Sequence, residues 1–198
     1  GPSGAGKTTA LGVLAEFDVC VIDADAVYHD LLERSLPLQK ALTGRFGPGI
    51  LSADGGIARR ALGEIVFADP AALGDLNRIT HGFILAEIDR ECAEAEKAGR
   101  RGAAIDAAAL IESGADRACD VVVAVLAPRE VRIRRIMARE GIGEDYARAR
   151  VDAQPGEEFY RAHCGYVLEN RSGDTRESFA ARARVLFGEI LARAEERR

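Results

Sequence analysis

The first eight residues, GPSGAGKT, restrict the possible folds more than any other part of the chain. They match the pattern G-x-x-x-x-G-K-[ST], in which glycines allow successive backbone N–H groups to point at one centre. Phosphate oxygens bind at such a centre, and a helix that begins near Gly6 adds the positive end of its dipole. The pattern therefore predicts that a nucleotide's phosphates bind to Gly4, Ala5, Gly6, Lys7, Thr8 and Thr9.

Two side chains of this loop carry specific roles. Lys7 is expected to reach the β- and γ-phosphates of the nucleotide, and the Thr8 hydroxyl is expected to bind Mg²⁺. The sequence TTALGVLAEF that follows provides the required helix. A loop of this type normally follows a strand, so we expect residues preceding Gly1 to form one.

The rest of the chain alternates between short apolar runs and longer segments with helical spacing. The runs at 19–23, 102–106, 120–127 and, more weakly, 165–170 predict strands, whereas 70–98, 128–140 and 174–197 predict helices. This alternation is typical of βαβ units with a parallel sheet covered on both faces. With the phosphate loop, it predicts a three-layer α/β P-loop NTPase fold.

Composition excludes several other classes of protein. The net charge of −5 and the pI of about 5.4 argue against a protein that coats nucleic acid or an anionic membrane. No apolar run approaches the length of a membrane span, no signal peptide is recognisable, and the four cysteines are widely spaced. We therefore expect a cytoplasmic protein that acts on small molecules and has no obligatory protein partner.

One segment, 129–150, departs from the acidic average. It contains seven arginines and four acidic residues, a local charge of +3. The arginines could face an anion, or they could form a solvated helix with i,i+4 ion pairs. Both interpretations remain open on the sequence alone.

Two carboxylates, Asp23 and Asp25, stand at the C-terminal end of the run VCVID and its continuation. In open α/β sheets ligands bind at that edge, so either carboxylate could accept the proton of a hydroxyl that attacks the γ-phosphate. The other would cap the helix that begins near Ala26. Residue chemistry alone does not decide between them.

Size and motifs favour a kinase of small substrates among P-loop proteins. The guanine-reading motif N-K-x-D is absent from the sequence, which weakens the GTPase alternative. A kinase of another nucleoside, nucleotide or small alcohol stays possible, as does a regulatory module that binds nucleotide without catalysis. The paired aspartates and the basic segment argue against the regulatory module.

Five segments in one order resemble the dephospho-CoA kinase family over nearly the whole chain. They are the phosphate loop, VIDAD, DGGIARRALGEIVFAD (54–69), ITHGFI (79–84) and RARVDAQ (148–154). The resemblance implies transfer of the γ-phosphate of ATP to the 3′-hydroxyl of the dephospho-CoA ribose. It also implies that Asp25 is the catalytic base and that Arg139, in RIMAR, neutralises the transferring phosphoryl group, with Arg135 as a second candidate.

The resemblance extends to further residues of the two substrate sites. It implies that the acceptor binds near His81, Leu110 and Glu112, and that Asn170 lies near the adenine of ATP. Asp106, at the end of a strand, would assist Mg²⁺ through water. The sequence departs from the family pattern at Gly82, Ala108, Tyr160, Cys164 and Gly165.

The resemblance also implies a single kinase domain with three parts. The core is expected to comprise 1–33, 99–138 and 164–198, the acceptor-binding helical insertion 34–98, and the lid 139–163.

Overall fold

A computed structural model of the chain describes residues 1–52, 55–107, 110–111 and 113–196. Short strands separate single helices and runs of consecutive helices along these residues. The helices are α1 (Lys7–Glu16), α2 (Ala24–Arg34), α3 (Leu36–Phe46), α4 (Arg59–Ala68), α5 (Pro70–Lys97), α6 (Arg129–Glu140), α7 (Glu144–Asp152), α8 (Glu157–His163) and α9 (Arg176–Glu195). The strands are β1 (Val19–Asp23), β2 (Gly102–Asp106), β3 (Val123–Leu126) and β4 (Tyr166–Glu169). The predicted α/β class is confirmed.

The strands pair in two sets of two. β1 is hydrogen-bonded to β2, and β3 runs parallel to β4 with Val123 opposite Tyr166 and Leu126 opposite Glu169. The predicted strand over 120–127 is shorter in the structure because pairing with β4 begins only at Val123. The predicted helix over 128–140 begins at Arg129, since Pro128 takes an extended conformation as its N-cap.

Side chains at the helix N-termini explain where several helices begin. Asp69 accepts a hydrogen bond from the Ala71 amide at 2.9 Å, and Pro70 occupies the first turn of α5. The Thr175 hydroxyl accepts from the Ser178 amide at 3.1 Å and so caps α9. These caps satisfy amides that have no partner within the helix.

Contacts divide the chain into two compact units. The first comprises Gly1–Val21, Arg100–Ala104 and Ala108–Arg198, and the second Ile22–Gly99 and Ile105–Ala107. The predicted insertion 34–98 falls entirely within the second unit, and the predicted lid 139–163 falls entirely within the first. The division of the chain into core, insertion and lid stays a prediction.

The first unit has its main core between α1, α9 and the β3–β4 pair. Phe179 and Phe187 of α9 pack with Val13 of α1, Val125 of β3 and Leu168 of β4, and each of these side chains is buried. A second cluster joins α6 to α7, and a third joins β3 to α8. This packing fixes the elements that surround the phosphate loop.

The second unit is a helical assembly with its own core. Buried apolar side chains of α2, α3, α4, α5 and the connection between α3 and α4 meet there: Leu32, Leu38, Leu42, Ile50, Ile57, Leu62, Val66, Ala72 and Leu76. None of the helices in the described part of the chain combines the length and apolar character that crossing a bilayer requires.

The turn before α9 contains a carboxylate whose contribution to stability depends on pH. Asp174 accepts hydrogen bonds from Arg182, Ser178 and the Arg171 amide, and the Arg182 bond is the main reason that its pKa lies below the ordinary aspartate value. A lowered folded-state pKa stabilises the fold above the unfolded-state pKa, and the stabilisation is lost as pH falls through the folded-state pKa.

We therefore expect Asp174→Asn to lower the melting temperature at pH 7. The difference from the wild type should shrink below about pH 4, where the unfolded-state carboxyl becomes protonated. Thermal unfolding followed by circular dichroism across this pH range measures the difference. Asp89→Asn, on the exposed face of α5, is the matched control; a difference for Asp174→Asn that is constant with pH would contradict the assignment.

Candidate functional site

The phosphate loop adopts backbone conformations that require glycine at two positions. Gly4 has φ 77° and Gly6 has φ 109°, both in the left-handed region that L side chains rarely adopt. Gly6 is the N-cap of α1, and its carbonyl accepts from the Thr9 amide at 3.1 Å and the Ala10 amide at 3.2 Å. The N-terminal end of α1 therefore faces the loop, as phosphate binding requires.

Close packing also requires glycine in the loop, because a Cβ would collide with neighbouring atoms whatever the value of φ. A Cβ on Gly1 would lie 2.3 Å from the carbonyl oxygen of Val125, and one on Gly4 would lie 2.8 Å from the carbonyl oxygen of Arg132. A Cβ on Gly6 would lie 2.5 Å from Nδ2 of Asn170. Each glycine of the motif thus allows the loop to lie directly against β3, α6 or the end of β4.

Lys7 turns back over its own loop. Its Nζ donates to the carbonyl oxygen of Gly1 at 2.8 Å and lies 3.5 Å from that of Pro2. An ammonium held against the loop backbone adds positive charge to the loop, where phosphates are expected to bind. Phosphate oxygens offer the ammonium charged acceptors in place of these neutral carbonyls, so nucleotide binding favours the exchange.

Donors on the opposite side of the loop bind its carbonyl groups. Arg135 donates from Nη1 to Gly4 at 3.2 Å and from Nη2 to Oδ1 of Asn170 at 3.0 Å. Asn170 is 4% exposed, and its Nδ2 donates to the Ala5 carbonyl at 2.9 Å. The Asn170 amide therefore binds the loop through Nδ2 and Arg135 through Oδ1, and its predicted contact with adenine stays a prediction.

Ser3 is bound by two side chains that the sequence analysis did not identify as functional. The Ser3 amide donates to Oε1 of Gln154 at 3.0 Å, and Nε2 of Gln154 lies 3.2 Å from the Ser3 hydroxyl oxygen. Arg132 donates from Nε to the Ser3 carbonyl at 3.0 Å and from Nη2 to Oε1 of Gln154 at 2.7 Å. The sequence contains one indication for each residue. Arg132 lies in the basic segment 129–150, and Gln154 ends RARVDAQ (148–154), one of the segments that resemble the family.

Arg132 is a buried cation with only 8% of its surface exposed. Burial lowers the pKa of its guanidinium, which stays charged because arginine titrates far above neutral pH. Neither Arg132 nor Arg135 forms an ion pair with a carboxylate in the described residues. Their charge behind the loop is therefore available to attract the anionic groups of a nucleotide.

The arginines of 129–150 divide between the two interpretations drawn from the sequence: some form surface ion pairs and others face the phosphate loop. Four of them form surface ion pairs with neighbouring carboxylates: Arg129 with Glu130 and Asp152, Arg139 with Glu140, Arg148 with Glu130 and Glu144, and Arg150 with Glu140. Arg132 and Arg135 instead face the phosphate loop, and Arg134 is exposed. Two of the seven arginines, Arg132 and Arg135, therefore support an anion site.

Arg139, predicted to neutralise the transferring phosphoryl group, lies in the last turn of α6. Its Nη2 is 2.7 Å from Oε1 of Glu140, and its side chain is 60% exposed. Exposed pairs of this type contribute little to stability, so the arginine can exchange Glu140 for a phosphate at small cost. Its role stays a prediction.

The structure assigns the helix cap at the end of β1 to Asp23. Its Oδ1 accepts from the Asp25 amide at 2.9 Å and the Ala26 amide at 3.1 Å. Asp25, in the first turn of α2, is exposed, and its carboxylate has no hydrogen-bond or ion-pair partner in the part of the chain that the structure describes. The role of Asp25 as catalytic base stays a prediction.

The other residues expected on the acceptor side fall in different places. His81 lies on α5 in the second unit, and its buried Nε2 has no hydrogen-bond partner in the described residues. Asp106 ends β2 in the same unit, whereas Leu110 belongs to the first. Glu112 and the departure at Ala108 lie outside the described residues.

Magnesium requires few protein ligands at a nucleotide site, because phosphates and water supply most of its coordination. Thr8 is exposed in the first turn of α1, directly after Lys7, and its hydroxyl is a suitable ligand. Among the described residues, no group of three or more His, Cys, Asp or Glu side chains forms a metal site of its own. The donor set therefore fits a cation that arrives with the nucleotide.

Two departures from the family pattern have a structural explanation. Tyr160, where the family has a lysine, is 4% exposed and packs with Ala124 and Leu126 of β3, so this position contributes to the core of the first unit. Gly82, where the family has a proline, lies inside α5, which continues without interruption from Pro70 to Lys97. A proline there would remove a helical hydrogen bond.

A phosphate loop of this geometry on an α/β fold defines a P-loop nucleotide-binding protein. Residues 1–176 match the dephospho-CoA kinase family. The chain belongs to that family.

Individual relatives agree over nearly the full length of the chain. The dephospho-CoA kinase of Corynebacterium efficiens is 36% identical over 98% of this chain and 96% of its own length. That of Frankia casuarinae is 37% identical over 98% of this chain and 83% of its own length.

Two solved structures share the fold. A Thermus thermophilus protein superposes with a TM-score of 0.77 at 28% identity, covering 97% of this chain and 93% of its own. The dephospho-CoA kinase from Campylobacter jejuni gives a TM-score of 0.68 at 26% identity, covering 94% and 92%. The predicted P-loop fold is thereby confirmed.

Proposed function

We propose that this protein transfers the γ-phosphate of ATP to the 3′-hydroxyl of the ribose of dephospho-CoA, giving CoA and ADP. The observation that carries the proposal is a complete phosphate loop, with left-handed Gly4 and Gly6 and an overlying Lys7, in a chain of the dephospho-CoA kinase family. This reaction is the last step of coenzyme A synthesis. ATP is the phosphoryl donor.

The loop holds the phosphates and neutralises their charge. Backbone amides at the start of α1 donate to phosphate oxygens, and Lys7 exchanges its contacts with Gly1 and Pro2 for the β- and γ-phosphates. Arg139 leaves Glu140 and neutralises the equatorial oxygens of the transferring group, on which negative charge accumulates.

Asp25 orients the ribose hydroxyl and accepts its proton. The Asp23 cap supports this assignment, because it leaves the Asp25 carboxylate without a structural task in α2. A carboxylate with no partner has its full capacity to accept a hydrogen bond from the attacking hydroxyl.

Mg²⁺, when bound, neutralises charge on the β- and γ-phosphates. Thr8 would hold it directly, and Asp106 would assist through water. On the acceptor side, His81, Leu110 and Glu112 would contact dephospho-CoA, and Asn170 would lie near adenine. The spaced cysteines and the composition support a reducing, cytoplasmic location.

The proposed function is tested by measuring ADP release with ATP and a panel of acceptors. We expect turnover with dephospho-CoA and none with AMP or uridine, and mass spectrometry should find CoA as the product. Turnover with AMP or uridine but not with dephospho-CoA would overturn the proposed acceptor. Binding of ATP without acceptor-dependent ADP release would favour a regulatory module.

A further inference from the structure

We propose that Gln154 and Arg132 are positioning residues for the phosphate loop, acting together through Ser3. They bind every polar group of Ser3: its amide, its carbonyl and its hydroxyl. The inference rests on the proposed use of this loop to bind ATP. We refer to Ser3, Arg132 and Gln154 as the Ser3 clamp.

The chemistry of the neighbours fixes the orientation of the Gln154 amide. Oε1 faces two donors, the Ser3 amide at 3.0 Å and Nη2 of Arg132 at 2.7 Å. The carboxamide nitrogen cannot accept from either, so Nε2 must point to the Ser3 hydroxyl. Arg132 spans the clamp because Nε and Nη2 are two separate donors on one planar guanidinium, one to the Ser3 carbonyl and one to Gln154, a fork that a lysine ammonium does not reproduce.

The clamp connects the loop to a rigid part of the first unit. Arg132 is on α6, and Gln154 follows α7 within two residues of its end at Asp152. Ile133 and Ile136 of α6 pack against α7 in a buried cluster, so the two clamp side chains share one packed support. Ser3 lies next to Gly4, whose left-handed backbone is costly to hold in an isolated chain.

Fixing Ser3 lowers the entropy that the loop loses when it closes around phosphate. Binding sites that are already ordered bind more tightly, because less ordering is required at the moment of binding. None of the residues proposed to contact the acceptor belongs to the clamp. Its loss should therefore raise the Kd and the KM for ATP and leave the KM for dephospho-CoA unchanged.

The test compares Gln154→Ala with Gln154→Glu. Removing the net contribution of about one hydrogen bond predicts that Gln154→Ala raises the Kd for ATP by about five- to tenfold. The carboxylate of Gln154→Glu can still accept from the Ser3 amide, from Arg132 and from the Ser3 hydroxyl, but its negative charge offsets that of Arg132. Its Kd should therefore lie between those of Gln154→Ala and the wild type. ATP binding is measured by calorimetry without acceptor, and KM values and melting temperatures are measured in parallel.

Two further variants keep the test decisive. Ser3→Ala removes only the hydroxyl, and its effect on Kd should add less than fully to that of Gln154→Ala, because both act through one contact. Arg134→Gln, on the exposed face of α6, is the matched control and should bind ATP as the wild type does.

The outcomes separate the clamp from the proposed function. If the wild type binds no ATP, the proposed function fails. If the wild type binds ATP and Gln154→Ala binds equally well with a lower melting temperature, the clamp is only structural and the inference is wrong. A Kd raised in Gln154→Ala and partly restored in Gln154→Glu supports it.

Discussion

Asp25→Asn is expected to lower kcat by roughly 10²- to 10⁴-fold, the contribution of a positioned general base, with ATP affinity nearly unchanged. The amide is similar in size to the carboxylate but cannot accept the proton of the ribose hydroxyl. Because Asp25 is exposed and its carboxylate has no partner in the described residues, the substitution removes no contact that supports the fold. Steady-state kinetics with dephospho-CoA, together with ATP titration, measure both quantities.

Asp23→Asn is the matched control for this substitution. It changes the same residue type two positions away, at the same strand end, and asparagine caps helices as well as aspartate does. The variant should therefore keep the hydrogen bonds to the Asp25 and Ala26 amides and retain turnover close to the wild type. If Asp23→Asn lost activity while Asp25→Asn kept it, the roles of cap and base would have to be exchanged.

Lys7→Met is expected to reduce both kcat and nucleotide affinity. Loss of one charge that stabilises the transition state typically lowers kcat by about 10²- to 10³-fold. Unlike Asp25, Lys7 also binds the ground-state phosphates, so the Kd for ATP should rise as well. ATP binding therefore distinguishes the two variants: it is nearly intact in Asp25→Asn and weakened in Lys7→Met.

Lys40→Met controls for the loss of a lysine elsewhere. Lys40 is exposed on α3, and its replacement should leave ATP binding and turnover unchanged. Wild-type affinity for ATP in Lys7→Met would contradict the role of Lys7 in the loop.

The sequence was sufficient to predict the loop and the order of the elements, because both follow from local patterns. Gly4 and Gly6 indicate left-handed backbone by residue type, and the strands β1 and β2 coincide with the apolar runs at 19–23 and 102–106. Residue chemistry alone left the helix cap undecided between Asp23 and Asp25, since either aspartate can cap a helix. The family resemblance implied Asp25 as the base, and the hydrogen bonds of the structure assign the cap to Asp23.

The Ser3 clamp could not be predicted from local patterns. Ser3 and Gln154 are 151 positions apart, and their contact depends on how α6 and α7 pack. Charge counting over 129–150 could not separate Arg132 and Arg135, which face the loop, from arginines that form ordinary surface pairs. To separate the two groups of arginines, one must know which face of α6 packs against the phosphate loop.

The donors behind the phosphate loop have a consequence for the peptide groups of the loop itself. The carbonyl of Ser3 accepts from Arg132 and belongs to the same peptide as the Gly4 amide; the carbonyl of Ala5 accepts from Asn170 and belongs to the same peptide as the Gly6 amide. A donor at a carbonyl draws electron density along the peptide and leaves its N–H more positive. The loop therefore attracts phosphate partly through charge that is relayed across its own amide bonds from side chains behind it.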